Sequence, residues 1–216
     1  EALKSPVPEF GRVPGLWYRD GGRVANTPLA SLVSDLDGEM PAIAWDLLPM
    51  SRYRAHNWHC LGGLDRQPYA AIYTTLGCPY HCSFCCIQAP FKTGDEAATG
   101  KRTPNTYRAW SPDIVTKYGV RNIKIADEMF VLTRRHVLGI CDRIIARGYD
   151  LNIWAYTRVD TIKDGMLEKL RAAGFRWLAV GIEAGDGRVR ADVDKAFGQD
   201  EVFAVVRRIQ DAGISV

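Results

Sequence analysis

The sequence predicts an α/β fold with a parallel sheet, preceded by an irregular N-terminal extension, and three observations lead there. From residue 69 onward, short β-rich runs alternate with helical segments at about 25 to 40 residues per unit, as repeated βαβ units require. Four of these runs end on residues with site chemistry: Cys78 after the first, Asp127 and Glu128 after the second, Arg158 after the third, Glu183 after the fourth. Parallel α/β folds gather function at the C-terminal ends of their strands. Residues 1–68, by contrast, are rich in Pro, Gly and aromatics and hold no sustained period.

Taken in order, Trp17-Tyr18-Arg19 and Arg23-Val24-Ala25 flank Asp20-Gly21-Gly22 and predict a small hairpin, because these turn residues accept positive φ. Residues 41–49 form a proline-bounded apolar stretch, a short helix or a strap against the main domain. The first strand covers residues 69–74 and ends at a cysteine loop. A long polar loop follows over residues 88–107, a length that in compact domains goes with function or disorder. Ser111-Pro112-Asp113 then opens a helix, with Pro suited to the first turn, but the helix reaches only Tyr118, short for a crossover.

The second strand is residues 122–126. Thr133 caps a helix carrying Val137, Leu138, Cys141, Ile144 and Ile145 and closed by Gly148. Residues 151–156 are the third strand, followed by a helix capped by Asp164, carrying Met166, Leu167 and Leu170, and stopped by Gly174. Residues 177–182 are the fourth strand. Asp200 caps a last helix through Val202, Phe203, Val206 and Ile209, and residues 212–216 turn toward a further strand. The opening on Glu1 and the stop in that turn read as the ends of a piece of a longer protein, truncated on the C-terminal side.

A chain of 216 residues supports one substantial core plus extensions. With 25% charged residues and a net charge of +3, it gives no electrostatic ground for nucleic-acid or anionic-membrane binding. No apolar run reaches the ~20 residues of a membrane span, and the start has no secretion-signal pattern. The cysteines are Cys60, Cys78, Cys82, Cys85, Cys86 and Cys141. The crowding of four between residues 78 and 86 is poor for a disulfide framework and suits a metal site in a reducing, cytoplasmic compartment.

Cys78, Cys82 and Cys85 form a C-x3-C-x2-C pattern with Phe84 just before the last. Thiolates hold iron–sulfur clusters, and a 4Fe–4S cube normally takes four; three leave one iron with an open position. The competing reading is structural zinc with Cys86 or His81 as fourth ligand, although the downstream second cysteine pair of zinc knuckles is absent. Cys86 as a fourth cluster ligand would have to share the cube with adjacent Cys85. Cys141 lies on an apolar helix face and reads as packing, and Cys60, beside Trp58 and His59, as buried and inert.

With the cysteine motif on a loop after a first strand, residues 69–216 resemble the radical S-adenosylmethionine (radical SAM) superfamily. The resemblance implies a partial (βα)6, TIM-like barrel and a 4Fe–4S cluster on Cys78, Cys82 and Cys85. S-adenosylmethionine would chelate the open iron and be cleaved by one-electron reduction to methionine and a 5′-deoxyadenosyl radical. It implies that the Phe84 backbone faces the adenine and that Glu128, or its rival Asp127, accepts a hydrogen bond from the cofactor's ammonium. Arg158 and Glu183 would face the methionyl carboxylate and the ribose hydroxyls. An electron donor such as a flavodoxin or ferredoxin follows.

A narrower resemblance involves the extension. Gly15-Leu16-Trp17-Tyr18-Arg19, Asp35-Leu36-Asp37, the stretch 41–49 and Tyr53 are similar to the linker of cobalamin-dependent radical SAM proteins. Trp110-Ser111-Pro112, residues 118–123 and residues 181–185 are similar to the same subgroup. There a cobalamin-binding domain, absent from this chain, precedes the linker (residues 1–68) and the core (residues 69–216). The implied reaction is cobalamin-assisted methyl transfer or ring formation on a small-molecule or lipid-like substrate. The alternatives are a radical SAM enzyme using only the 5′-deoxyadenosyl radical, or a non-catalytic iron–sulfur or zinc module.

Plainer readings stand beside these. Carboxylates such as Asp127 and Glu128 are favoured at helix N-termini anyway. Arg158 and Asp160 can form a purely structural ion pair. His56, His59, His81 and His136 are scattered and read as surface or core residues, and Lys92, Lys101 and Arg102 as a solvated face.

Overall fold

The structure, a computed structural model, describes residues 2–31, 33, 35–60, 63–87 and 112–216. Strands β1 (Trp17–Asp20) and β2 (Arg23–Asn26) form the expected antiparallel hairpin. Gly21 and Gly22 take φ angles of 53° and 84°, the positive values a two-residue turn needs at both central positions. Thr27 ties the hairpin's base, accepting from the Leu16 N–H at 2.9 Å and donating to the Val13 carbonyl at 2.7 Å. Helix α1 (Leu36–Glu39) is a single turn capped by Asp35, whose carboxylate accepts from the Gly38 N–H at 3.0 Å. The proline-bounded stretch holds a 3-10 turn, Trp45–Leu47, and Trp45 and Met50 bury themselves in the main core. It is a strap.

Strands β3 (Tyr69–Ile72), β4 (Asn122–Ile125), β5 (Asn152–Thr157) and β6 (Phe175–Val180) form one parallel sheet in that spatial order. The four expected strands are all present with shifted ends. β6 starts two residues early because Gly174, at φ 93°, lets the chain turn from the preceding helix straight into the sheet. A Cβ there would stand 2.5 Å from the Leu151 carbonyl oxygen. Beyond the last helix, Ser215 pairs in parallel with Trp177 through two 2.9 Å backbone hydrogen bonds, so the chain does turn toward a further strand.

Helix α2 (Asp113–Thr116) is as short as the sequence suggested. The long loop 88–107, Lys92, Lys101, Arg102, Trp110 and Ser111 lie outside the described residues. Helix α3 (Arg134–Ala146) buries His136, Val137, Ile140, Cys141 and Ile144. The expected Leu138 and Ile145 fall at the margin of that stripe, where a 3.6-residue period puts them one step too far round. Helix α4 (Met166–Ala172) buries Met166, Leu167 and Leu170 as expected. Its cap position is Gly165, not Asp164, whose carboxylate instead takes Arg208 at 3.0 Å. A helix absent from the sequence reading, α5 (Gly187–Asp192), is capped by Asp186, which accepts from the Arg188 and Val189 N–H groups. Helix α6 (Gln199–Asp211) has Gly198, not Asp200, at its cap position, with Asp200 in its first turn, and turns Phe203 outward.

The sheet's alternation sorts its side chains into two faces. Ala70, Ile72, Ile123, Ile125, Ile153, Ala155 and Leu178 pack against α3, α4 and α6 in one core with Val137, Ile140, Leu170 and Ile209. Each fully buried Ile or Leu there stabilises by roughly 1.5–3 kcal/mol before entropy is counted. The opposite face carries Tyr69, Ala71, Asn122, Lys124, Asn152, Trp154, Tyr156 and Trp177, the inner wall of a partial barrel. Among the described residues, no helix is long and apolar enough to cross a membrane.

Candidate functional site

The cysteine loop leaves β3 at the C-terminal edge of the sheet and is held there by a buried carboxylate. Asp127, at the end of β4, has no exposed surface. It accepts from the Thr74 N–H at 2.5 Å, the Thr74 hydroxyl at 2.6 Å and the Thr75 hydroxyl at 2.8 Å. Burial pushes its carboxyl pKa up, while the Thr74 and Thr75 hydrogen bonds pull against that shift. Behind it, His136 of α3 meets the Thr74 oxygen at 2.8 Å. Thr74 gives its own proton to Asp127, so His136 Nε2–H is the donor. Burial lowers the His136 pKa to about 4, which keeps the ring neutral. The Asp127 oxygens are therefore engaged with the loop and closed to solvent. Its neighbour Glu128 is only partly buried and accepts from the Gly77 N–H at 3.1 Å, one residue before Cys78.

Arg158, just past β5, is 4% exposed and binds Asp160 in a two-pronged pair at 2.9 and 3.1 Å. The structural ion pair is real, yet the third nitrogen faces the loop: Nη1 donates to Cys82 Sγ at 3.5 Å. The guanidinium also stacks 3.8 Å from the centre of the Tyr80 ring. Burial alone would lower the Arg158 pKa, but the Asp160 hydrogen bond and charge outweigh it and raise the value.

Glu183 follows β6 in the left-handed region at φ 69° and forms an ion pair with Lys195. Lys195 is 4% exposed and also donates to the Gly181 carbonyl at 2.9 Å. Its ammonium lies 5.9 Å from the centre of the Phe84 ring, which is itself 59% exposed. Ser83, beside it, donates to the Asp192 carbonyl at 3.3 Å and ties the loop to the end of α5. The sheet edge thus brings Cys78, Cys82, Cys85, Phe84, Glu128, Arg158 and Glu183 to one end of the fold.

The loop's chemistry fits an iron–sulfur cube. The Cys85 N–H closes a turn onto the Cys82 carbonyl at 2.9 Å. Burial pushes the Cys78 thiol up; the Tyr80 backbone N–H and Arg158 pull it down, and Cys82 and Cys85 add to the rise. The Cys82 and Cys85 sulfurs thus lie within electrostatic reach of Cys78. Among the described residues, no three His, Cys, Asp or Glu side chains converge on one point to grip a single ion. A cube meets each thiolate at a different iron, so sulfurs spaced along a turn suit it without converging. Bound metal charge would also reverse the penalty on the thiolates. Cys86 is exposed beside Cys85.

Sequence reasoning missed Tyr80, the Thr74–Thr75 pair and Lys195. The two threonines carried a readable signal, a polar pair breaking an apolar strand. Lys195 carried none, because it follows a helix with no clear period. Elsewhere, Cys141 is buried in the core, its thiol pushed up to about 12 by burial. Cys60 is buried and its thiol reaches Asn122 Oδ1 at 3.3 Å. A cavity of about 290 Å³ lies at the opposite end of the strands, lined by His59, Asn152, Arg176, Trp177 and Ser215. It is remote from the cysteine loop and is not this site.

An uncharacterized methyltransferase of Pyrococcus horikoshii is 27% identical over 214 residues, covering 95% of this chain and 42% of that protein. The anaerobic magnesium-protoporphyrin IX monomethyl ester cyclase of Cereibacter sphaeroides is 27% identical over 208 residues, 94% of this chain and 32% of that protein. The chain therefore spans less than half the length of these curated relatives. Among solved structures, the radical S-adenosylmethionine methyltransferase TsrM from Kitasatospora setae, with cobalamin and a [4Fe-4S] cluster bound, matches in fold with a TM-score of 0.65. That likeness has 19% identity and covers 99% of this chain and 41% of that one. The Radical SAM superfamily model matches residues 72–216, which hold the cysteine loop and all but the first residues of the parallel sheet, and the chain belongs to that superfamily, whose enzymes use a 4Fe–4S cluster and S-adenosylmethionine.

Proposed function

We propose that this chain is the radical SAM core of an enzyme that cleaves S-adenosylmethionine reductively at a cluster held by Cys78, Cys82 and Cys85. We further propose that cobalamin, bound outside residues 1–216, assists methyl transfer, with residues 1–68 as the link to its domain. The observation that carries this reading is the three-cysteine loop at the C-terminal edge of four parallel strands, with Arg158 donating to Cys82 at 3.5 Å. The similar methyltransferase and cyclase support methyl transfer first and ring formation second.

When bound, the cluster supplies the electron that breaks a carbon–sulfur bond of the sulfonium. The chain's own residues bind, orient and shield. Arg158 keeps a fixed positive charge against Cys82, which favours an added electron nearby, and Asp160 and Tyr80 hold that charge in place. Glu128 offers a partly exposed carboxylate to the ammonium of S-adenosylmethionine. The family resemblance would give the methionyl carboxylate to Arg158, the ribose hydroxyls to Glu183 and the adenine to the backbone of Phe84. The substrate is a small or lipid-like molecule and the electron comes from a flavodoxin- or ferredoxin-like donor. All six cysteines are free, which supports a reducing, cytoplasmic setting.

Anaerobic reconstitution with iron and sulfide tests the reading. A reducible 4Fe–4S EPR signal that shifts on adding S-adenosylmethionine, with release of 5′-deoxyadenosine, is expected. Stoichiometric zinc with no brown chromophore would sink it. The cobalamin element is tested in the full-length protein, where transfer of a labelled methyl group is expected to require added cobalamin. Undiminished turnover without it would favour the radical-only alternative.

A further inference from the structure

The inner face of the sheet carries one feature that cluster and cofactor binding leave unused. In register across the strands lie Ala71 of β3, Lys124 of β4, Trp154 of β5 and Trp177 of β6. One layer nearer the cysteine loop, Tyr156 pairs with Ala179. The Lys124 ammonium sits 4.6 Å from the centre of the Trp154 ring and 5.5 Å from that of Tyr156. These two rings meet edge to face at 5.0 Å, and Trp58 closes on Trp154 and Trp177 at 4.8 and 5.8 Å. The other cations near this end are already matched: Arg158 by Asp160 and Lys195 by Glu183. Lys124 has no carboxylate partner among the described residues.

A half-buried ammonium among aromatic rings keeps only part of its hydration, and an incoming anion meets it at a reduced dielectric. Tyr156 and Trp177, both partly exposed beside the buried Trp154, offer apolar surface to a planar ligand, and the small residues Ala71 and Ala179 keep the face beside them low. In the layer below, Asn122 and Asn152 are tied to the chain at Asp65 and His59. The more open part of this face, at Ala71, Tyr156 and Ala179, lies on the cysteine-loop side of them. Arg158 lies four residues beyond Trp154 on the same strand path, about 13 Å away at the rise of an extended chain.

We propose that Lys124 is the specificity residue for a small planar aromatic substrate bearing an oxyanion, carboxylate or phosphate. The ring lies against Tyr156, with its acidic group at Lys124 and its reacting end toward the cysteine loop. Only the orientation rests on the radical SAM reading; the recognition of a planar acid does not.

The test is binding, with no need for cluster or turnover. Isothermal titration calorimetry compares 2-naphthoate and 2-naphthyl phosphate with the uncharged 2-naphthamide on the full-length protein. At least one acid is expected to bind five- to tenfold more tightly than the amide, and the better one names the oxyanion. That advantage should vanish in Lys124→Met and persist in Lys124→Arg, while Tyr156→Leu weakens acid and amide alike. In the wild type, raising salt from 50 to 500 mM should weaken the acid and leave the amide unchanged, a readout that needs no variant to fold. No preference for either acid, or a preference kept in Lys124→Met, overturns the proposal. Failure of S-adenosylmethionine cleavage with the preference intact would overturn the enzymatic reading and leave this one standing.

Discussion

At the N-terminal end of the parallel sheet the polar groups bond to one another, whereas at the C-terminal end several are left facing outward. Asn122 and Asn152, the first residues of β4 and β5, bond to each other at 2.9 Å and to the Asp65 and His59 carbonyls at 2.8 and 2.9 Å. His59 returns a bond from Nε2 to the Asn152 carbonyl at 3.0 Å, and Trp58 packs over Trp154. At the other end Asp127 and Thr74 are fully buried. Glu128, Glu183, Phe84 and Cys85 keep solvent access, and Arg158 and Lys195 stand as buried charges behind them. One end is closed by hydrogen bonds, apart from the cavity beside His59 and Asn152, and stabilises; the other holds charges in place and leaves ligand atoms open.

The largest expected effect breaks this comparison at the open end. Cys78→Ala, Cys82→Ala and Cys85→Ala should each abolish the brown chromophore and the bound iron, while Cys86→Ala should retain both. Iron content and the visible spectrum of each variant decide the matter. Loss of the cluster in Cys86→Ala, with retention in any of the other three, would overturn the ligand assignment.

These cysteines were legible because three residues within eight positions carry the chemistry locally. The strands were legible too, since β-rich runs between Gly and helical periods need no long-range information. Asp127 and Glu128 could not be told apart. Adjacent residues leaving a strand point to opposite sides, and which side is buried depends on where His136 and Thr74 arrive from distant parts of the chain. The closed end was invisible for the same reason. Asn122 and Asn152 read as polar strand starts until the extension folds across them.

Asp127→Ala comes next. It removes three charge-assisted hydrogen bonds and leaves the buried Thr74 N–H and both threonine hydroxyls without their acceptor. The expected loss is roughly 3–5 kcal/mol, read as a lower urea midpoint. Glu128→Gln, one residue on, should change stability by no more than about 0.5 kcal/mol, because the partly exposed amide oxygen can still accept from Gly77. Weakened S-adenosylmethionine binding in Glu128→Gln would then assign the cofactor contact to that residue. Equal destabilisation by both changes would erase the distinction drawn between the two carboxylates.

Acid should act on both ends. His59 at the closed end and His136 behind the cysteine loop each have a pKa lowered by burial from 6.5 to about 4. A depressed folded pKa means that the neutral ring stabilises the fold above pH 6.5, and that this contribution is lost as pH falls through the folded value. Linkage puts the loss on the order of 3 kcal/mol for each histidine between pH 6.5 and 4. Asp127, whose pKa is raised, runs in the opposite sense and becomes less costly as pH falls. The histidine share is therefore isolated by comparing wild type with His59→Gln and with His136→Gln in urea at pH 7 and pH 4.5. Each variant should lie well below wild type at pH 7 and close part of that gap at pH 4.5. A gap that stays constant with pH would show that the ring in question is not held neutral by the fold.

The smallest effect isolates the closed end. Asn152→Ala deletes the donor to the His59 carbonyl and to Asn122 Oδ1, leaving two buried acceptors with fewer partners. Asn122 Oδ1 still receives the Cys60 thiol at 3.3 Å, and the His59 ring still reaches the Asn152 backbone carbonyl, which the substitution keeps. The loss should accordingly stay near 1–2 kcal/mol, well short of that for Asp127→Ala. Because the change lies four or more residues below the strand ends that carry the site, iron content and the S-adenosylmethionine-dependent EPR shift should match wild type. Loss of the cluster from this variant, with its urea midpoint lowered by no more than that amount, would mean that the two ends are coupled. The extension would then be a part of the site's support rather than only a seal beneath it.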